Sequence, residues 1–107
     1  MQDKITKVLR AIADPTRREI FHVLVLTSTA LPITQIAGQF EMTRQGITKH
    51  LKALESAGLV TIDSQGRERY CNANAQPLEE IRKWLSFYDK FWDDKLTSLG
   101  NHLEAKT

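Results

Sequence analysis

Ile5, Val8, Leu9 and Ile12 recur at i, i+3, i+4 and i+7, the spacing of one face of a helix. Asp14-Pro15 interrupts that helix, because a residue before proline is driven out of the helical region. The same pair starts another, since Asp14 is a good N-cap and Pro15 a good first helical residue. The second helix is predicted from Thr16 to about Leu26, with Ile20, Phe21, Leu24 and Val25 inward and Thr27-Ser28-Thr29 as its end. Pro32-Ile33-Thr34 opens a short third helix carrying Ile33, Ile36, Ala37 and Phe40. Glu41-Met42-Thr43 is the turn to a longer fourth helix, capped by Thr43 and stopped by Gly58. After Gly58 the period changes. Leu59–Ile62 and Arg69–Asn72 are strand-like runs around Asp63-Ser64-Gln65-Gly66, a β-hairpin, and Pro77 starts a last helix running to about Leu103.

The predicted fold is therefore mainly α with a small β-wing, in the order α-α-α-α-β-β-α. A short helix, a tight turn, a second helix and a two-stranded hairpin make a winged helix-turn-helix. The helix-turn-helix spans about 33–57, the wing about 59–72 and the C-terminal helix about 77–103, all in one domain over 1–107. Ala37 is the small residue such a unit needs where its helices meet, followed by Met42, Ile47 and Leu51. Two positions break the pattern. Glu41 stands where the turn wants φ > 0 and hence glycine, and Gly46 lies inside a helix, where glycine costs about 1 kcal/mol relative to alanine. A close helix–helix or helix–phosphate approach is the expected reason for Gly46.

At about 100° per residue, Ile47, Leu51 and Leu54 of the fourth helix fall within roughly 60° and face the core. Gln45, Lys49, Lys52 and Ser56 lie opposite, with Arg44 and Thr48 toward one flank, and no acid is among them. Arginine and lysine can pair with guanine edges or with phosphate, glutamine pairs with adenine, and threonine offers a hydroxyl and a methyl. A merely solvated helix face is the bland alternative. Gly66 supplies the hairpin tip, and Arg67 and Arg69 share one face of the wing with Glu68 pointing the other way. They suit phosphate or a minor groove, or else they are solvated charges guarding an edge strand.

Lys and Arg number 15 against 13 Asp and Glu, so net charge alone says nothing of a polyanionic partner. Its distribution is more informative, with residues 43–78 mildly basic and 79–107 mildly acidic. Hydrophobic residues at 41% and charged ones at 26% are ordinary globular values. The longest apolar run is Val23–Leu26 and the N-terminus has no apolar export segment, so a soluble, cytoplasmic protein with no membrane association is expected. A single cysteine, Cys71, forms no intrachain disulfide, and with His22, His50 and His102 it completes no structural zinc set. Cys71 is either a small core residue or a redox switch. No catalytic constellation or glycine-rich phosphate loop is visible, and no enzyme is expected. The expectation for cofactors is likewise none.

Ala13-Asp14-Pro15-Thr16-Arg17-Arg18-Glu19-Ile20, Met42-Thr43-Arg44-Gln45-Gly46-Ile47-Thr48-Lys49-His50-Leu51, Leu54-Glu55-Ser56-Ala57-Gly58-Leu59-Val60 and Gly66-Arg67-Glu68-Arg69-Tyr70 occur in that order. Together they resemble the bacterial ArsR-type (ArsR/SmtB) winged-helix repressors, from about residue 5 to 99. The resemblance implies a homodimer on a palindromic double-stranded DNA operator near its own promoter. Thr43, Arg44, Gln45, Thr48 and Lys49 would then contact the major groove or phosphates, and Arg67 and Arg69 would form the wing; from its place on the exposed cationic face, Lys52 is expected to neutralise phosphate with Lys49, Arg67 and Arg69. His50, off that face, takes a structural or phosphate role. Arg17 and Arg18 open a helix, where positive charge opposes the dipole, so pairing with an acid is expected.

Metal-sensing relatives carry a cysteine pair before the recognition helix, and residues 33–40 contain no Cys, His or acid. The other usual site lies along the last helix, where Asp89, Asp93, Asp94, His102 and Glu104 lack the expected pattern. No metal is expected, and the inducer is then a small molecule, a partner protein or none.

Five of the eight aromatic residues, Trp84, Phe87, Tyr88, Phe91 and Trp92, fall within nine positions. With Ile81, Leu85, Leu96, Leu99 and Leu103 they cover an arc of roughly 180°, wider than the roughly 100° needed to dock on one core. A second subunit is the simplest second neighbour, with Ile5, Leu9, Trp84, Tyr88, Phe91, Trp92 and Leu99 at a two-fold interface. The subunit's own core or a ligand pocket are the alternatives, as is a winged-helix protein-interaction module that does not bind specific DNA.

Overall fold

The structure is a computed structural model and describes residues 3–91. Helices α1 (Lys4–Ala13) and α2 (Pro15–Thr27) lead to β1 (Leu31–Pro32), α3 (Ile33–Gln39), α4 (Arg44–Ser56), β2 (Val60–Gln65), β3 (Glu68–Ala73) and α5 (Leu78–Ser86). This is the winged helix-turn-helix order with one strand added.

Asp14, in extended conformation, ends α1 and begins α2, its carboxylate accepting the Arg17 N–H at 3.0 Å. The expected acid partners of Arg17 and Arg18 are absent among the described residues. Arg17 instead donates from Nε to the Ala11 carbonyl at 2.8 Å and from Nη2 to that of Arg10 at 3.3 Å, and Arg18 Nη1 donates to the Ile12 carbonyl at 2.8 Å. The last carbonyls of α1 have no partner within their own helix and carry its negative pole, so two cations at the start of α2 complete the preceding helix.

Both helices of the central unit end in the same motif. After α3, Met42 N–H bonds the Ala37 carbonyl at 3.0 Å and Glu41 N–H that of Gly38 at 3.3 Å; after α4, Leu59 bonds Leu54 at 3.0 Å and Gly58 bonds Glu55 at 2.9 Å. Each is a Schellman closure, which places one residue in the left-handed region. Gly58 does so at φ 79° and Glu41 at φ 53°, as the sequence pattern requires, with Glu41 carrying the strain. At Gly46 the expected close approach of a second helix is not found. A Cβ there would stand 3.2 Å from both Met42 Cε and Thr43 Oγ1, so the crowding comes from the turn's own side chains and not from a second helix.

The sheet order is β1-β3-β2, antiparallel throughout, with Leu31 opposite Cys71 and β2–β3 pairs running from Val60–Ala73 to Gln65–Glu68. The strands continue nearer the tip than the expected Asp63–Gly66 loop, because Gly66 at φ 64° lets Gly66-Arg67 close the hairpin in two residues.

The core gathers Val8, Ala11, Ile20, Phe21, Leu24, Ile33, Ile36, Ala37, Ile47, Leu51, Leu54, Leu59, Val60 and Cys71 around α4. Val25, expected inward, is exposed; it lines an open groove beside Asn72 and Ala73 at the end of β3 and Ala75 just past it. Helix α5 rests on the core through half-buried Leu78 and Ile81 and has no buried residue of its own. The expected continuous last helix is broken after Ser86, whose hydroxyl donates to the Arg82 carbonyl at 2.9 Å and competes with the helical ladder. Phe87 and Tyr88 form a turn, Tyr88 N–H reaching back three residues to Leu85, and residues 89–91 are helical again. The predicted stretch 92–103, with Trp92 and Leu99, lies outside the described residues.

Candidate nucleic-acid interface

Helix α4 is fixed by burial of Ile47, Leu51 and Leu54, which sets the direction of everything opposite them. Arg44, Gln45, Lys49, Lys52 and Ser56 are exposed, as the helical wheel requires, and Thr48 is half-buried. Thr43 is the N-cap, its Oγ1 accepting the Gly46 N–H at 3.0 Å, so its first duty is to the helix. Thr48 donates its hydroxyl to the Arg44 carbonyl at 2.7 Å, which turns the proton inward and leaves an oxygen acceptor and a methyl for a partner. The face thus offers two flexible ammonium groups, a guanidinium and an amide over about three turns of helix.

The wing carries its arginines differently from the sequence expectation. Arg67 lies in the turn, beyond the paired strands, whereas Arg69 is an exposed ladder residue opposite Ser64. The two are not on one strand face, since a turn residue follows no strand alternation. Glu68 does take the opposite strand face from Arg69, and its Oε2 accepts the Thr34 hydroxyl of α3 at 3.0 Å. That bond ties the wing to the first helix of the helix-turn-helix, and no local sequence signal announces a pair 34 residues apart.

His50 is half-buried on the flank of α4. The Arg17 N–H, followed by the charges of Arg17 and His50, holds Asp14 below the usual carboxylate range against the opposing effect of burial. Cys71 is buried in the core, and burial, aided by Glu55, pushes its thiol up to about 11. Among the described residues there is no cluster of three His, Cys, Asp or Glu side chains and no helix long and apolar enough to cross a membrane.

Helix α5 packs against α1. Trp84, Leu85, Tyr88 and Phe91 are exposed, Phe87 is 80% exposed, Leu9 of α1 is exposed and Ile5 is half-buried. Trp84 and Phe87 both meet Tyr88 edge to face, with ring centroids 5.8 and 5.1 Å apart.

A family described as a helix-turn-helix domain matches residues 12–63. The HTH-type transcriptional regulator YuzN of Bacillus subtilis is 39% identical over 84 residues, covering 73% of this chain and 91% of that protein. The transcriptional repressor SdpR of the same organism is 30% identical over 87 residues, covering 80% and 94%. The solved structure of an ArsR-like transcriptional regulator from Rhodococcus sp. RHA1 superimposes with a TM-score of 0.70 at 30% identity, over 92% of this chain and 91% of that one. Matching motifs, a shared fold and similarity along nearly the whole length of these relatives place the chain in the ArsR-type family of winged helix-turn-helix transcriptional regulators.

Proposed function

We propose that the protein acts as a homodimeric repressor on a palindromic operator, with α4 in the major groove and the wing over the adjacent backbone. The observation that carries this reading is the exposed face of α4 over residues 44–52, which carries Arg44, Gln45, Lys49 and Lys52 and no acid, the first acid being Glu55 near the helix end, since a face needed only for solubility has no reason to exclude carboxylates. Arg44, Gln45 and Thr48 read base edges; Thr43, Lys49, Lys52, Arg67 and Arg69 hold phosphates. Two such helices related by a two-fold axis meet successive major grooves about 34 Å apart. Repression is the sense in which SdpR is named, and the apolar surface of α1 and α5 supplies the subunit contact.

The test is a titration against DNA from upstream of the protein's own gene, beside unrelated DNA of equal length and at several salt concentrations. Preference for the upstream fragment of about 10³-fold or more is expected. Equal, weak binding to both would overturn the reading and turn attention to the aromatic surface as a protein-docking face.

A further inference from the structure

A groove of about 250 Å³ runs between α1 and α4, lined by Lys7, Arg10, Arg17, Ala53, Ser56 and Ala57 together with Ala11. Its three charged residues are all cations. Neither Lys7 nor Arg10 has an ion-pair partner among the described residues, where the ion pairs are Arg82–Glu79 and Lys83–Glu80. Lys7 also borders the neighbouring groove that contains Glu79 and Glu80, whose ion pairs are with Arg82 at 3.3 Å and with Lys83 at 4.0 Å and not with Lys7. Arg17 is held in place by its bonds to the Ala11 and Arg10 carbonyls, which occupy Nε and Nη2 and leave Nη1 to the groove.

The α4 side of the groove is built of Ala53, Ser56 and Ala57, so a bulky anion can come close to the helix. Lys49 and Ala53 are one turn apart, and Ser56 belongs to both the groove and the exposed cationic face. A helix about 10–12 Å across fills a major groove about 12 Å wide, so a DNA backbone passes along each of its flanks. Helix α3 packs along one side of α4, and this groove lies on the side that faces α1.

We infer that the α1–α4 groove is a second DNA-backbone site, in which Lys7 and Arg10 hold phosphates flanking the base pairs under α4 and Arg17 forms its floor. This rests on the proposed DNA-binding function and extends the footprint beyond the helix and the wing.

Lys7→Ala, Arg10→Ala and the double variant of the full chain test it by fluorescence anisotropy on the upstream and unrelated duplexes across a salt series. Each single change is expected to lower the slope of log K against log salt by about 0.9 and to weaken both duplexes by the same factor, because phosphate contacts carry no sequence information. Lys90→Ala, a charge removed from the far helix, is expected to keep the slope. Arg10→Gln replaces Arg10→Ala should circular dichroism show lost helix. A double variant whose slope matches wild type, or falls no further than that of Lys90→Ala, overturns the groove while leaving the α4 reading intact. Wild-type protein without salt-dependent binding to either duplex overturns both. Stabilisation of wild type by inorganic phosphate that the double variant loses, with DNA slopes unchanged, assigns the groove to a free anion and overturns the DNA source.

Discussion

The Thr34 hydroxyl, in the first turn of α3, donates a 3.0 Å hydrogen bond to Glu68 Oε2 on the outgoing strand of the wing. A two-stranded hairpin is marginal by itself, and its tip is free to swing unless something outside it fixes the angle. Here the base is held by Cys71 and Val60 in the core, while the Thr34–Glu68 bond holds the part next to Gly66-Arg67. Thr34→Val removes the donor and returns the carboxylate to water. Because the pair is exposed, the loss of stability should be below about 1 kcal/mol. Amide exchange, however, should accelerate for Gln65 to Glu68 and stay unchanged from Val60 to Ile62, which nuclear magnetic resonance resolves residue by residue. Uniform exchange along the hairpin would show that the bond does not govern the tip.

Glu41 is the second site where local chemistry and fold disagree. Its left-handed backbone closes α3, and a side chain there costs roughly 1–2 kcal/mol, of which glycine recovers part after its own entropy cost of roughly 0.5–1. Glu41→Gly should therefore stabilise the protein by about 0.5–1 kcal/mol, seen as a higher urea midpoint with unchanged m-value. A lower midpoint would mean that the Glu41 side chain does something that its exposure does not reveal.

Most of this architecture was legible in the sequence because it is written in local signals. Asp14-Pro15, Thr43 and Gly58 mark helix ends by capping chemistry, and Ile47, Leu51 and Leu54 give the direction of α4 by periodicity alone. The exposed members of the α4 face follow directly. What escaped is set by partners far along the chain. Strand β1 is two residues long and exists because Leu31 and Pro32 meet Cys71 and Tyr70. The position of Arg67 depends on which two residues turn, a choice made by hairpin register. Arg17 and Arg18 show a wrong partner for a right problem, since carbonyls satisfy a cation as an acid does and were nearer.

That partnership is measurable. Arg17 serves two carbonyls with one planar group, a geometry that a lysine ammonium cannot reproduce. Arg17→Met, which keeps the apolar stem, should cost about 1–2 kcal/mol, and Arg17→Lys should recover less than half of it. Full recovery by lysine would reduce the effect to charge at the end of α1.

Cys71 links the core to pH. Its thiol ionises near 11 when folded against an ordinary 9.0, so the folded state disfavours the thiolate. The sign follows from proton linkage: the contribution is complete below pH 9 and disappears as pH rises from 9 through 11, where the unfolded chain loses the proton first. Wild type should therefore lose stability across this window more steeply than Cys71→Ala. A thiol reagent at neutral pH should label Cys71 in urea and leave it almost untouched in the native protein. Rapid native labelling would contradict its burial.

The aromatic surface makes a separate prediction. Phe87 is 80% exposed and Trp84 and Leu85 about half exposed, an apolar display that a lone subunit does not need and that its core does not use. If a second subunit covers it, Phe87→Asp places a charge in an apolar interface and should convert the sedimenting dimer into monomer at micromolar concentration. Helix content should persist, because no residue of α5 is part of the buried core. Operator affinity should fall by about 10²-fold or more, since each α4 would then engage its half-site without the benefit of its partner. A dimer that survives Phe87→Asp and Trp84→Ala together would place the two-fold contact elsewhere. Wild-type protein that sediments as a monomer would leave the same aromatic surface for a different partner, and the salt series on single half-sites would then be the proper measure of α4 itself.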